Sequence, residues 1–219
     1  MAKQIAGVAE RIIAAAKQEF LDKGYVDASL RTIAAAADTS TNSIYVRFGD
    51  KEGLFSAIVE PALNEMIEQF IHIQEQFHQM SPDEQAERMP KYADGGTSAL
   101  VDYMYEHLDE FRLLLDASYG TRFHHFVDEL VRIEVEYTYK YMEIAGYPIK
   151  CGNAMTEKLL HIVTTSRFES IFEVIRHGMS REEAEQKSLA ALKTVGLQHL
   201  AKENPYDRYT YEKGMHLGE

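Results

Sequence analysis

An all-α fold is predicted for this 219-residue chain by three observations. Apolar residues recur at three- and four-residue spacing through most of its length, capping residues precede those stretches, and no run alternates with period two. The first helix is expected over residues 6–23, with Ile12, Ile13, Ala16, Phe20 and Leu21 on one face and Gly24 as a left-handed stop. Ser29 caps a short second helix, Leu30 to Ala37, whose inward face is Leu30, Ile33, Ala34 and Ala37. Asp38-Thr39 makes a turn, Ser40 caps a third helix reaching Phe48, and Asp50 caps a fourth. That fourth helix runs to about Met80 with Pro61 inside it, so a kink or break near Glu60 is expected, and the domain junction is placed there.

Beyond the junction, Ser81-Pro82-Asp83-Glu84 reads as a helix start, with proline in the first turn and a capping-box glutamate. Gly95-Gly96 reads as a flexible loop, followed by helices near 98–108, 109–119 and 122–145. Gly146-Tyr147-Pro148 ends the last of these, and Asn153 caps another that reaches about His177. Gly178 stops it, and Ser180-x-x-Glu183 is a second capping box, opening a final helix to about Lys202. The expected organisation is therefore a headpiece over residues 1–60, a helical body over 61–203 and a polar, tyrosine-rich tail over 204–219.

Composition narrows the functional classes. An apolar share of 45% suffices for a packed core, and the single cysteine, Cys151, excludes an intrachain disulfide framework. No segment reads as a signal peptide, and no apolar run approaches the roughly 20 residues needed to span a bilayer. A cytoplasmic protein without membrane contact is expected. The net charge of -12 is unusual for a protein that docks on a polyanion. Residues 1–60, however, carry seven Lys or Arg against eight Asp or Glu, so nearly all the excess negative charge lies on the body. Any affinity for nucleic acid must come from a few placed cations and helix N-termini, while the acidic body is repelled.

Three helices within about fifty residues, the second and third short and joined by a tight turn, are the layout of a helix-turn-helix. Ala34, Ala36 and Ala37 let the second and third helices approach closely, and Ile44 and Phe48 point back into a small core. Thr41, Asn42, Ser43, Tyr45 and Arg47 are left on the outer face, residue types suited to base edges and phosphates in a major groove. Periodicity alone leaves open a helical hairpin with no role on DNA.

The run from Leu30 through Ile33-Ala34, Ala37, Ser40, Ile44-Tyr45, Phe48, Lys51-Glu52 and Leu54 resembles the signature of the TetR/AcrR regulators. Ala14, Phe20, Gly24 and Tyr25 sit where that family's first helix and its end would put them, so the resemblance spans roughly residues 9–60. It implies recognition-helix contacts from Ser40, Thr41, Asn42, Ser43, Tyr45 and Arg47, a second-helix contact from Arg31, and a phosphate contact from Lys51 at the start of the fourth helix. The turn departs from the family pattern: Asp38-Thr39 stands where glycine and a small apolar residue are usual. Aspartate tolerates the left-handed conformation, but places an anion near phosphates.

A headpiece of this kind binds palindromic double-stranded operator DNA as a symmetric dimer. The resemblance implies that the last two helices form that homodimer. Met155, Leu159, Ile162, Val163, Ile171, Phe172 and Ile175 make an apolar face on one, and Ala184, Leu189, Ala191, Leu192, Val195 and Leu200 on the other. The alternative is that these faces pack within one subunit. The resemblance also implies a small-molecule effector bound in the body. Tyr103, His107, Phe111, Tyr119, Phe123, Phe126, Tyr137, Tyr141 and Phe168 are the candidate lining, with Tyr105 and Tyr139 nearby; any one of them alone reads more simply as ordinary core, and the set together with the resemblance points to a pocket. Asp102, Asp116, Glu134 and Glu169 would favour a cationic effector. His124-His125 with Asp128 and Glu129 supplies too few ligands per face for a metal centre, so no metal or cofactor is assigned. Cys151 beside Lys150 is a candidate redox sensor, with an inert thiol as the alternative. No glycine-rich phosphate loop, nucleophile elbow or triad is present, so no catalytic residues are assigned and an enzyme is not expected. The reading is a ligand-responsive transcriptional regulator, in which the fourth helix transmits effector binding to the headpiece.

Overall fold

The computed structural model describes residues 2–146 and 154–184, which are helical almost throughout, with no strand among them. The second and third helices follow their caps closely, whereas the first is longer than the expected 6–23. α1 (Ala2–Asp27) is interrupted near its end by Gly24, whose φ of 72° breaks the helical path. The Ser29 side chain accepts from Thr32 N at the start of α2 (Leu30–Ala36), and Ser40 accepts from Ser43 N at the start of α3 (Thr41–Phe48). Between them Asp38 adopts φ 48°, the positive-φ residue among the described ones that is not glycine. Ile12, Ala16, Phe20, Ile33, Ala34, Ala37 and Ile44 form the interior of this headpiece. Ala36 is instead exposed, so Ala34 and Ala37 alone supply the small buried contact between α2 and α3.

α4 (Lys51–His78) starts at Asp50, whose carboxylate accepts from Gly53 N at 2.7 Å. It continues through Pro61 as a single helix, without the break expected near Glu60. Proline in a helix interior costs about 3 kcal/mol or more. Ile58, Val59, Ala62, Leu63 and Met66 are all buried around it, and burial on that scale outweighs the loss of one hydrogen bond.

The capping box at Ser81 and Glu84 opens α5 (Pro82–Glu106). Gly95-Gly96 is not a loop but lies inside this helix. The glycine signal is local, whereas Thr97, Leu100, Val101 and Met104 just beyond it are buried and hold the helix against the core. α6 (Leu108–Arg112) passes directly into a π turn, Leu113–Ala117, and a 3-10 turn, Arg122–His125, leads into α7 (Phe126–Ile144). α8 (Ala154–Arg176) ends before Gly178, and Ser180 and Glu183 form the second capping box. Asn153, Cys151, the final-helix residues Leu189 to Leu200 and the tail lie outside the described residues.

Headpiece and body share one apolar core, running from Ile12 to Ala184. Phe55 on α4 sits at the join, edge-on to Phe20 and Tyr25 and 6.1 Å from Phe123 of the body. Lys17 of α1 donates to Glu110 of α6 at 2.5 Å, and the Arg122 guanidinium donates to Glu60 at 2.7 Å.

Candidate nucleic-acid interface

The outer face of α3 is set by what the inner face buries. Ile44 is fully buried and Phe48 packs on the headpiece core, which turns Asn42, Tyr45 and Val46 to solvent. Tyr45 is 52% exposed and Val46 74%. Val46 was not among the residues expected to meet DNA, because an apolar side chain does not signal readout. Its position beside Tyr45 on the solvent face was already implied by helical spacing, and a branched apolar group there matches a thymine methyl.

The other residues expected at the interface are placed differently. Ser40 is exposed, with its hydroxyl oxygen engaged as the α3 cap. Arg47 folds back along its own helix, donating through Nη1 to Ser43 Oγ at 2.6 Å and to the Ser43 carbonyl at 3.2 Å. Thr41, Ser43 and Arg47 are half-buried, while Arg31 on α2 is exposed. Lys51 leans over the Tyr25 ring, 4.9 Å from its centroid, and donates to the Val26 carbonyl at 2.9 Å. Burial pushes its ammonium below the usual lysine range, an effect opposed by Asp27 and Glu19. Beside it Glu19 Oε1 accepts from Lys23 Nζ at 2.8 Å and from Ser29 N at 3.0 Å, tying the end of α1 to the α2 cap. Those hydrogen bonds hold the Glu19 carboxyl below the usual range.

In the body, the nine candidate lining residues do not converge on one place. Tyr103, His107 and Phe111 form one group, with Tyr103 donating to the Ala62 carbonyl and to Glu65, both at 3.1 Å. Burial, reinforced by Glu65, pushes its phenol upward. Phe123 packs towards the headpiece, Phe126 and Phe168 pack on Phe172, and Tyr119 is exposed. Tyr137 lies against His78, and Tyr141 against Phe77.

Near Tyr137 and Phe168 the body holds a polar cluster that no motif announced. Arg167 of α8 donates to Glu134 of α7 at 2.5 Å and to Thr97 of α5 at 3.3 Å. Gln74 of α4 donates to the other Glu134 oxygen at 2.5 Å and accepts from the Tyr92 hydroxyl at 3.0 Å. Four helices thus meet in one hydrogen-bond network, whose members are spread from Gln74 to Arg167 in no regular spacing, so periodicity had no means of finding it. Burial, with Glu134 nearby, raises the Tyr92 phenol above its usual range. Each carboxylate that suggested a cationic effector is paired with arginine: Asp102 with Arg181, Asp116 and Glu169 with Arg176, and Glu134 with Arg167.

α8 divides the apolar face expected at a dimer contact. Ile171, Phe172 and Ile175 are buried inside the subunit, together with Phe168 and Val174, whereas Leu159 and Ile162 are each 59% exposed. Among the described residues this stripe is therefore divided, its C-terminal part facing the subunit interior and Leu159 and Ile162 facing outward. His125 Nδ1 lies 3.9 Å from Asp128, and among the described residues no group of three or more His, Cys, Asp or Glu is arranged to hold a metal ion. No helix among the described residues is long and apolar enough to cross a membrane.

Residues 12–58 match the family model for bacterial regulatory proteins of the tetR family. Among solved structures, the chain is similar to a transcriptional regulator of the TerR/AcrR family from Aquifex aeolicus VF5, with 17% identity and a TM-score of 0.57 over 86% of this chain and 99% of that one. It is similar also to a TetR-family regulator from Pectobacterium atrosepticum, with 21% identity and a TM-score of 0.53 over 93% and 98% of the two chains. A third is NalD, the secondary repressor of the MexAB-OprM multidrug efflux pump in Pseudomonas aeruginosa, with 18% identity and a TM-score of 0.50 over 88% and 97%. No curated protein matches the sequence. The helix-turn-helix of α2 and α3 thus lies within the segment that matches the tetR-family model, and the chain shares its fold with solved TetR-family transcriptional regulators.

Proposed function

We propose that the chain is a homodimeric, effector-responsive repressor that binds palindromic operator DNA through α2 and α3 and has no catalytic activity. The observation that carries this reading is the presentation of α3: Ile44 anchors the helix while Asn42, Tyr45 and Val46 stand free on its outer face. Arg31, Ser40, Thr41, Ser43, Arg47 and Lys51 complete the surface. Arg47 and Lys51 exchange their internal acceptors for phosphate oxygens on docking. Repression is the role named for NalD, which has the same fold. Residues 1–60 are assigned to DNA binding and 61–203 to effector binding and dimerisation, although α4 runs unbroken between them.

The exposed Leu159 and Ile162 support a dimer contact along the first half of α8. A two-fold dimer would set two copies of α3 in successive major grooves about 34 Å apart. Effector binding in the body would change that separation through α4 and the Phe55 join. The test is fluorescence anisotropy of the full chain against DNA from its own upstream region at two salt concentrations. Salt-sensitive binding that survives competitor DNA, at two protomers per site, is the expected result. Binding by a single protomer, or binding indifferent to sequence, would overturn the reading.

A further inference from the structure

The polar cluster at the centre of the body is more than an internal tie. Arg167 has only 12% of its side chain exposed, yet its Nε is shut off from solvent without a hydrogen-bond partner among the described residues. Buried donors in native proteins are nearly always paired, and an exception calls for an explanation. On a guanidinium, the Nε–H and the neighbouring Nη2–H point the same way, as a two-pronged fork that fits the two oxygens of a carboxylate. Here Nη1 is committed to Glu134, whereas Nη2 makes only a 3.3 Å contact with Thr97. The buried fork edge is therefore the side of the residue whose hydrogen-bonding capacity is least used.

A second, independent observation concerns space. Gly96 immediately precedes Thr97 and stands one helical turn above Tyr92, whose hydroxyl joins the same cluster. It is half-buried, but a Cβ placed on it would meet no described atom within 4 Å. Nothing in the packing around it requires glycine there, and two adjacent glycines weaken the helix. The open position at Gly96 thus directly precedes Thr97, the α5 residue that Arg167 touches. The centroid of the Phe168 ring lies 5.7 Å from the guanidinium carbon, and the half-buried Phe70 packs edge-to-face on that ring. That pair offers an apolar wall next to the charged fork.

We propose that this cluster is the anchor of a binding site for an organic monocarboxylate, whose two oxygens dock on the Nε–Nη2 fork of Arg167 and whose apolar part lies between Gly96 and the Phe168–Phe70 wall. The inference rests on the reading of the body as an effector domain and supplies the chemistry of that effector. A cation is disfavoured because Glu134, the carboxylate of the cluster, already accepts from both Arg167 and Gln74. A dianion is disfavoured because the guanidinium already shares its charge with Glu134.

The experiment uses the full chain with octanoate and 4-phenylbutyrate, each compared with its neutral amide. Thermal unfolding and the 15N–1H resonances of the arginine Nε groups are followed together. Both carboxylates should raise the midpoint in a concentration-dependent way and move one Nε resonance, the one missing from Arg167→Lys. The amides should bind at least tenfold more weakly. Arg167→Lys keeps an ammonium for Glu134 but lacks the fork, and should lose at least tenfold in carboxylate affinity while remaining folded. Gly96→Leu should block binding without lowering the ligand-free midpoint.

Equal binding of acid and amide, undiminished binding by Arg167→Lys, or no binding of either carboxylate would overturn the site and leave the cluster as a structural tie. The same samples titrated against operator DNA separate this inference from the one it rests on. Carboxylate that binds through Arg167 and leaves DNA affinity unchanged upholds the site and refutes effector control. DNA binding that persists with no carboxylate binding refutes the site alone.

Discussion

The headpiece and the body are built from the same helices but solve different problems. In the headpiece, the long α1 and the short α2 and α3 meet through small or fully buried apolar residues, and polar side chains are spent on caps at Ser29, Ser40 and Asp50. In the body, long helices enclose an ion pair and three further polar side chains in their midst. Among the described residues the headpiece interior holds no buried side-chain polar atom without a partner, while the body interior holds two, Arg167 Nε and Gln85 Oε1. A DNA-docking unit needs a rigid scaffold and an exposed chemical face. A sensing unit needs unmet chemistry inside. On the proposed reading, that difference in polar satisfaction separates the DNA-docking region from the sensing one.

The largest expected effect breaks the comparison at the join. Phe55→Ala removes a fully buried ring packed on both regions and should cost about 3–5 kcal/mol. Calorimetry should show a single lowered transition; two separate transitions would mean that headpiece and body unfold independently. Next in size, Tyr45→Ala should weaken operator binding by about 1–3 kcal/mol, with Val46→Ala less affected, as each is exposed and contributes little to the core. An unfolding midpoint moved as far as the affinity would assign Tyr45 to folding rather than to DNA.

Asp38→Gly relieves a left-handed backbone that costs an ordinary residue roughly 1–2 kcal/mol and aspartate less. The variant should be more stable than the parent and, lacking an anion near the phosphates, should bind DNA more tightly. A denaturant titration and the anisotropy assay test the two halves separately. Glu19 gives the headpiece a pH signature. Its folded carboxyl is held low by Lys23 and the Ser29 N–H, so its contribution is complete above the unfolded value of about 4.3 and disappears as pH falls through the folded value. Glu19→Gln should flatten that acid limb; an unchanged limb would place the titration elsewhere. Smallest, Gly95→Ala, at an exposed helical position with no described atom in its way, should stabilise the body by about 0.4–1 kcal/mol. A lowered midpoint would show that this position needs a bare backbone.

The headpiece was legible in the sequence because its determinants are local. Ser29, Ser40 and Asp50 each cap a helix through a backbone N–H three residues on, and Asp38 takes up the left-handed turn expected of it. Spacing within one helix also separates Ile44 inside from Tyr45 outside. The body was legible only where the same kind of signal operated, at the capping boxes of Ser81 and Ser180. Pro61 and Gly95-Gly96 read as interruptions, but lie within continuous helices, since contacts from distant segments outweigh a local preference of a few kcal/mol.

Thus the sequence by itself determined the all-α class, the caps at Ser29, Ser40, Asp50, Ser81 and Ser180 and the chemical character of the recognition helix, all of which depend on neighbours within about four residues. Only the tertiary structure decided that Arg47 turns back onto Ser43, that α8 buries Phe172 while exposing Ile162, and that Gln74, Tyr92, Thr97, Glu134 and Arg167 share one network. The physical reason is that hydrogen bonding and burial act between atoms a few ångströms apart in space, whatever their separation along the chain.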